Sequence, residues 1–287
     1  MKLQDIQMRD PFVLVEGDTY YLYGTDENVW REGYKFDCYK SKDLEEFEGP
    51  IRIFEKTPDF WADRNYWAPE VHKYNGKFYL FASLKAEGVC RGTQIFVCDT
   101  PDGRFVPVSD GPVTPRDWEC LDGTFYVENG EPYIVFSHEW VQIFDGEICA
   151  MRLSHDLTHA VEEPRTILKA SEAPWTTPHE HKSYPGKEIY VTDGPFLHTL
   201  SDGRLDLVWS SFHEGDYAIG QCISENGIKG PFVHKEEPIF GKDGGHGMVF
   251  RTKEGKLMLT IHMPNHTPDE RPVFFPLTET REGLKRV

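Results

Sequence analysis

Four carboxylates and one histidine occur in similar company along this chain: Asp10 in "RDPFVL", Glu70 in "WAPEV", Asp122 in "LDGTFYV", Asp193 in "TDGPFL" and His246 in "GGHGMVF". Each stands where an apolar, strand-like run opens, beside Pro or Gly. Any one of the acids alone reads as a turn residue, because Asp before Gly or Pro caps a turn through its side chain. Four gathered in one place would repel one another, a cost that a fold carries only where a site uses it. Such a site has a clear chemical use. Cleaving a glycosidic bond by inversion takes one carboxylate to activate water and one protonated carboxyl to donate to the leaving oxygen, roughly 6.5 to 9.5 Å apart. A third carboxylate nearby keeps the donor protonated through charge repulsion. The same acids would also suit a metal-assisted hydrolase, or a calcium-dependent sugar-binding module without catalysis.

What must position them is a repeat. A short apolar strand, a turn with Gly and an aromatic-rich strand return five times: "RDPFVLVEGDTYYLYGT" from Arg9, "WAPEVHKYNGKFYLFAS" from Trp67, "LDGTFYVENGEPYIVFSH" from Leu121, "TDGPFLHTLSDGRLDLVWSS" from Thr192 and "GGHGMVFRTKEGKLMLTIH" from Gly244. Alternation and turn residues make each a β-hairpin. The returns come about 50 to 70 residues apart, the size of a four-stranded propeller blade. Between them "FDCYKS", "TQIFVCDT", "EICAMRLS", "YAIGQCIS" and "PVFFPL" suit outer strands, and sustained helical periodicity is missing. The expected fold is therefore all-β: a five-bladed β-propeller of four-stranded antiparallel blades around a central channel, with residues 1–287 as a single domain. In that geometry the openings of the five innermost strands converge at one mouth, bringing Asp10, Glu70, Asp122, Asp193 and His246 together. A two-sheet sandwich would lack the fivefold return.

Composition narrows the partners. A formal charge of -17 repels phosphate backbones, and Lys and Arg cluster nowhere, which argues against nucleic acid and anionic membrane. Seven Trp and thirteen Tyr exceed ordinary core need and would stack on sugar faces. The six cysteines show no CxxC spacing and read as small buried hydrophobes. The N-terminus lacks the apolar run of a secretion signal, and no 18 consecutive residues are apolar. A chain trimmed of its signal would read the same, so compartment and oligomeric state stay open. GxSxG, GxGxxG and GxxxxGKS are absent.

At these residues the chain resembles glycoside hydrolase family 43, from "RDPFVL" through "WAPEV" and "LDGTFYVENGEPYIVFS" to "GGHGMVFRTKEGKLMLTIH". The resemblance implies a five-bladed propeller acting by inversion on arabinose- and xylose-containing polysaccharides or oligosaccharides. The expected activity is that of an α-L-arabinofuranosidase, with β-xylosidase or endo-arabinanase as nearest alternatives. Carried over, Asp10 matches the general base and Asp122 the acid that tunes and orients the donor. The family's donor is usually Glu in "EGP", where this sequence has Asp193 in "DGP". Asp193 is the expected acid, with Glu139 of "SHEW" and then Glu214 as substitutes. A non-catalytic sugar-binding propeller is the reading from another class. The resemblance requires no cofactor for the chemistry and places His246 near a structural calcium ion or water cluster beneath the sugar.

Further candidates for sugar contact are Trp67 as a stacking platform, Glu70 as an acceptor for hydroxyls, Trp140 and Trp175 at the rim, and Arg271 from the last blade. Glu119 of "DWECLDG" reads as a neighbour of Asp122. His179 and His181 of "PHEHKSY" lack a third ligand at diagnostic spacing and read as part of a solvated loop.

Overall fold

A computed structural model describes residues 1–26 and 34–287. It contains five antiparallel four-stranded sheets, each built from one continuous stretch of chain. The first holds β1 (Met8–Glu16), β2 (Thr19–Asp26), β3 (Lys35–Ser41) and β4 (Phe47–Glu55). The second holds β5 (Arg64–Tyr74), β6 (Lys77–Ala86), β7 (Val89–Cys98) and β8 (Val106–Pro107). The third holds β9 (Cys120–Glu128), β10 (Glu131–His138), β11 (Glu147–Arg152) and β12 (Arg165–Lys169), with the one-turn helix α1 (Trp140–Ile143) between its second and third strands. The fourth holds β13 (Asp193–Thr199), β14 (Leu205–His213), β15 (Asp216–Ser224) and β16 (Val233–His234). The fifth holds β17 (Gly245–Arg251), β18 (Leu257–Met263), β19 (Arg271–Thr280) and β20 (Gly283–Arg286).

The first strands pack in a ring, β1 against β5, β5 against β9, β9 against β13, β13 against β17 and β17 against β1. This is the five-bladed propeller expected from the repeat. The five repeat copies are the first two strands of each blade, and the five intervening fragments supply the third. Two of the hairpins turn on Asn75-Gly76 and Asn129-Gly130, with φ positive at both residues as a two-residue type I′ turn requires. Apolar side chains fill the seams between neighbouring blades. Phe81, Ile95, Phe125 and Phe136 lie between the second and third blades, and Val135, Leu168, Leu207 and Trp209 between the third and fourth.

One local feature recurs in all five blades and decides where the candidate residues point. Near its start every innermost strand slips register against the second strand, between Arg9 and Phe12, Trp67 and Glu70, Leu121 and Thr124, Asp193 and Phe196, and Gly245 and Gly247. Inside each slip one residue takes a left-handed backbone: Asp10 (φ 53°), Ala68 (45°), Asp122 (55°), Gly194 (49°) and His246 (43°). Such bulges bend a strand and re-aim its side chains. The structurally equivalent set is therefore Asp10, Ala68, Asp122, Gly194 and His246. Asp193 precedes its blade's bulge residue by one position, and Glu70 follows its own by two.

Candidate active site

Each bulge residue is tied to the preceding blade through its backbone N–H. The second-strand residues that sit opposite the bulges are Thr25, Ser83, Ser137, Ser210 and His262. Thr25 Oγ1 accepts the Ala68 N–H (2.7 Å), Ser83 Oγ that of Asp122 (2.8 Å), Ser210 Oγ that of His246 (2.7 Å) and His262 Nδ1 that of Asp10 (3.2 Å). The pattern changes only between the third and fourth blades. There the Gly194 N–H goes to Oδ2 of Asp122 (3.0 Å), and the buried Ser137 hydroxyl has no partner. The strand that opens with Asp193 is thus held by an acidic side chain where the other blades use a hydroxyl or an imidazole.

The strand openings meet in a cavity of about 400 Å³ whose lining includes Asp10, Asp122, Asp193 and His246. Asp10 accepts from Thr25 Oγ1 at 2.6 Å, and its Oδ1 lies 3.1 Å from His246 Nδ1. Burial works against its charge, but His246, Arg9 and the Thr25 hydroxyl outweigh that and hold its pKa below the usual carboxylate range. Asp122 is pushed the other way, well above that range, by burial and then by Asp10. Asp193 is raised to about 7, first by burial and then by Asp122, while Tyr217 donates to its Oδ2 at 2.9 Å. Asp10 is thus pushed toward the ionised form and Asp122 and Asp193 toward the protonated one. That division of labour is what acid–base catalysis across a bond needs.

Support for Asp10 extends outward. His262 Nδ1 takes the Asp10 N–H, so its hydrogen sits on Nε2, facing Asn265 Oδ1 at 3.0 Å. Burial keeps this imidazole neutral, with its pKa lowered to about 4. Arg9 donates to the same Asn265 oxygen (2.8 Å) and to Glu270 (2.7 Å).

Glu139, just ahead of α1, also reaches the cavity, but in an ion pair with Arg91. The Arg91 guanidinium lies 4.4 Å from the Trp67 ring centroid, and its backbone N–H donates to Glu119 (2.9 Å). Glu119 in turn pairs with Lys85 at 2.6 Å. Burial raises the Glu139 pKa and Arg91 opposes it.

The rim is aromatic. Trp140 lies 5.1 Å from the His181 ring and 6.1 Å from that of Tyr184, and all three line the cavity. His181, expected in a solvated loop, is part of this wall, whereas His179 stacks on Phe212 at 4.2 Å.

Several expected sugar contacts lie elsewhere. Trp175 is 1% exposed, packed on Trp209 in the seam between the third and fourth blades, where Gly220 leaves space for its ring. Burying an indole there outweighs displaying it at a rim. Glu70 is buried on β5 against His72 (2.9 Å), outside the cavity lining. Arg271 spends its guanidinium on the carbonyls of Gln4, Pro268 and Glu270. Glu214 sits exposed in the β14–β15 turn. Conversely, Thr25, Arg91, Tyr217 and Tyr184 were not singled out in the sequence. Their only signal was position on second and third strands or connectors, which has no meaning before register is known.

The donors around His246 do not by themselves make a calcium site. Its Nδ1 is used on Asp10, with Asp122 at 3.5 Å, and no three His, Cys, Asp or Glu side chains among the described residues are placed to hold a metal ion. Calcium takes six to eight oxygens.

Known proteins share this fold. The chain is 40% identical to the endo-arabinase of Bacteroides thetaiotaomicron VPI-5482, with a TM-score of 0.92 over 99% of this chain and 98% of that one. It is 27% identical over 176 residues to the extracellular exo-α-(1→5)-L-arabinofuranosidase ArbA of Cellvibrio japonicus, a match spanning 55% of this chain and about half (47%) of that relative. A xylosidase/arabinosidase of Bacteroides ovatus is 24% identical over 261 residues, 79% of each chain. The model of glycosyl hydrolases family 43 matches residues 4–281, and with the five-bladed ring and its converging acids in place, the chain belongs to that family of glycoside hydrolases.

Proposed function

We propose that the protein hydrolyses α-L-arabinofuranosidic bonds by inversion, with Asp10 as general base, Asp193 as general acid and Asp122 as the residue that keeps Asp193 protonated and in place. The observation that carries this reading is the convergence, in one cavity, of an aspartate held ionised and an aspartate raised to about 7. Asp10 takes a proton from water as that water attacks the anomeric carbon, and the proton on Asp193 passes to the departing oxygen as the glycosidic bond breaks. Glu139 is the weaker donor candidate because its charge is matched by Arg91. The arabinose assignment is supported by the 40% identical endo-arabinase, which also favours internal cleavage of an arabinan as the second reading beside release of terminal arabinofuranosyl units.

An aryl α-L-arabinofuranoside and a linear arabinan, followed by NMR of the newly released anomer, test both parts. Asp10→Asn should lower turnover by two orders of magnitude or more. Asp193→Ala should keep most activity on aryl groups that leave without protonation and lose it on natural linkages. If Glu139→Ala shows that split instead, the donor assignment is wrong. If the wild type binds oligosaccharide without turning over any arabinoside or xyloside, the enzymatic reading is wrong.

A further inference from the structure

We infer that Tyr217 is a positioning residue for the proton donor, fixing the Asp193 carboxyl through its hydroxyl and tying it, through its ring, to the strand that carries Asp10. The inference rests on the reading of Asp193 as the acid. Tyr217 lies near the start of β15, two strands out from the channel in the fourth blade, and is 3% exposed. Its hydroxyl donates to Oδ2 of Asp193 at 2.9 Å, which leaves Oδ1 as the oxygen that carries and delivers the proton. The ring lies nearly parallel to that of His262, 19° apart with centroids at 5.6 Å, and His262 Nδ1 holds the Asp10 N–H. The proposed acid and base, three blades apart in sequence, are thereby joined through two buried rings. Gly245 makes the contact possible, since a Cβ there would lie 2.7 Å from the tyrosine ring.

The arrangement also gives the short donor a means of control. An aspartate has one rotatable bond fewer than the glutamate that family members usually carry, so its reach follows the backbone closely. A hydroxyl donated from β15 then decides which oxygen faces the cavity. The titratable and charged groups facing Asp193 are Asp122 of β9, His246 of β17, Glu139 ahead of α1 and Tyr217 itself; Asp10 and Arg9 of β1 face the tyrosine. A hydroxyl that donates to a carboxylate favours its ionised form. Tyr217 therefore draws the Asp193 proton affinity down against burial and Asp122, and its removal must raise it.

The test is direct titration of Asp193 by carboxyl carbon NMR in uniformly labelled protein, its signal assigned by its loss in Asp193→Asn. Tyr217→Phe, which keeps the ring, should raise the midpoint by about one pH unit or more. Site-specific 3-fluorotyrosine at position 217, a stronger donor, should lower it, and this arm stands even if Tyr217→Phe does not fold. On any glycoside that the wild type cleaves, Tyr217→Phe should lose about tenfold more rate on unactivated than on activated leaving groups, with its alkaline limb shifted upward. An Asp193 midpoint that moves with neither variant overturns the inference. The titration needs no turnover, so a missing activity would strike the proposed function and leave this result standing.

Discussion

The pH response of the site follows from its two opposed aspartates. An acid raised to about 7 loses its proton above that pH, so kcat/KM should fall on the alkaline side with a midpoint near 7. With Asp10 as the proposed base, the acid limb should lie below the usual carboxylate range, because ionised Asp10 is favoured by His246, Arg9 and Thr25. Thr25→Val tests the local cause. The variant keeps the shape of the side chain and removes the 2.6 Å hydrogen bond to Asp10, so the Asp10 pKa rises and the acid limb moves upward by about one unit while the alkaline limb holds. A pH–rate profile of the variant with an unmoved acid limb would show that Thr25 does not tune the base. The acids themselves were legible in the sequence, because Asp beside Pro or Gly at a strand opening recurs visibly. Thr25, Tyr217 and His262 were not, since a hydroxyl or imidazole on a second or third strand looks like any other until register says which residue it faces.

At the scale of the strand, the repeat was readable and the bulge was not. Alternation and turn residues gave the hairpins, but a bulge shifts facing by one residue, and only pairing with the second strand shows where the shift falls. Hence Ala68 and Gly194 occupy the positions that Glu70 and Asp193 were expected to hold. Short fourth strands such as Val106–Pro107 and Val233–His234 escaped notice for a related reason: two paired residues carry no periodicity. Gly194 offers the sharpest test of the bulge. It has φ +49°, and a Cβ on it would lie 2.5 Å from the His246 ring. Gly194→Ala should cost about 1 to 2 kcal/mol for the backbone alone. It should also reduce turnover by about 100-fold, because the His246 ring or the N–H that holds Asp122 must move. Near-normal kinetics would mean that the bulge is not part of the catalytic frame. A second element-level test lies on β14. Asp206 is fully buried, and burial raises its pKa to about 8 against the Lys235 charge and the Leu284 backbone N–H. Between the unfolded value near 4 and about 8 the folded chain holds a proton that the unfolded chain has released, so stability falls as pH rises through that window by up to about 1.4 kcal/mol per unit. Asp206→Asn should flatten the decline of Tm between pH 5 and 8, and an unaltered slope would place the native titration elsewhere.

Across the whole molecule, the ring closes between the fifth and first blades without exchanging a strand, since each sheet is one continuous segment. Closure therefore rests on side-chain and backbone contacts at that seam. Glu270, 0% exposed, pairs with Arg9 at 2.7 Å, accepts from Thr267 and gives its carbonyl to the Met8 N–H at 3.3 Å. Arg271 adds its bond to the Gln4 carbonyl at 3.0 Å from the more exposed side. Glu270 is buried, but Arg9 is 24% exposed and keeps Asn265, so losing this charged bond costs about 1.5 to 3 kcal/mol, whereas the more exposed bond of Arg271 is worth about 1 kcal/mol. Glu270→Ala should accordingly lower Tm by roughly 5 °C and Arg271→Ala by less. The two variants should also differ in kinetics. Arg9 reaches Asn265, Asn265 faces His262, and His262 holds the Asp10 N–H, so loosening Glu270 should loosen the proposed base as well as the seam. At a temperature where both variants are fully folded, Glu270→Ala should lower kcat and Arg271→Ala should leave it near wild type. Equal kcat values with unequal Tm would mean that the seam serves closure alone. A joint fall in both for Glu270→Ala would show that the ring is closed by the same residues that hold the proposed base, Asp10.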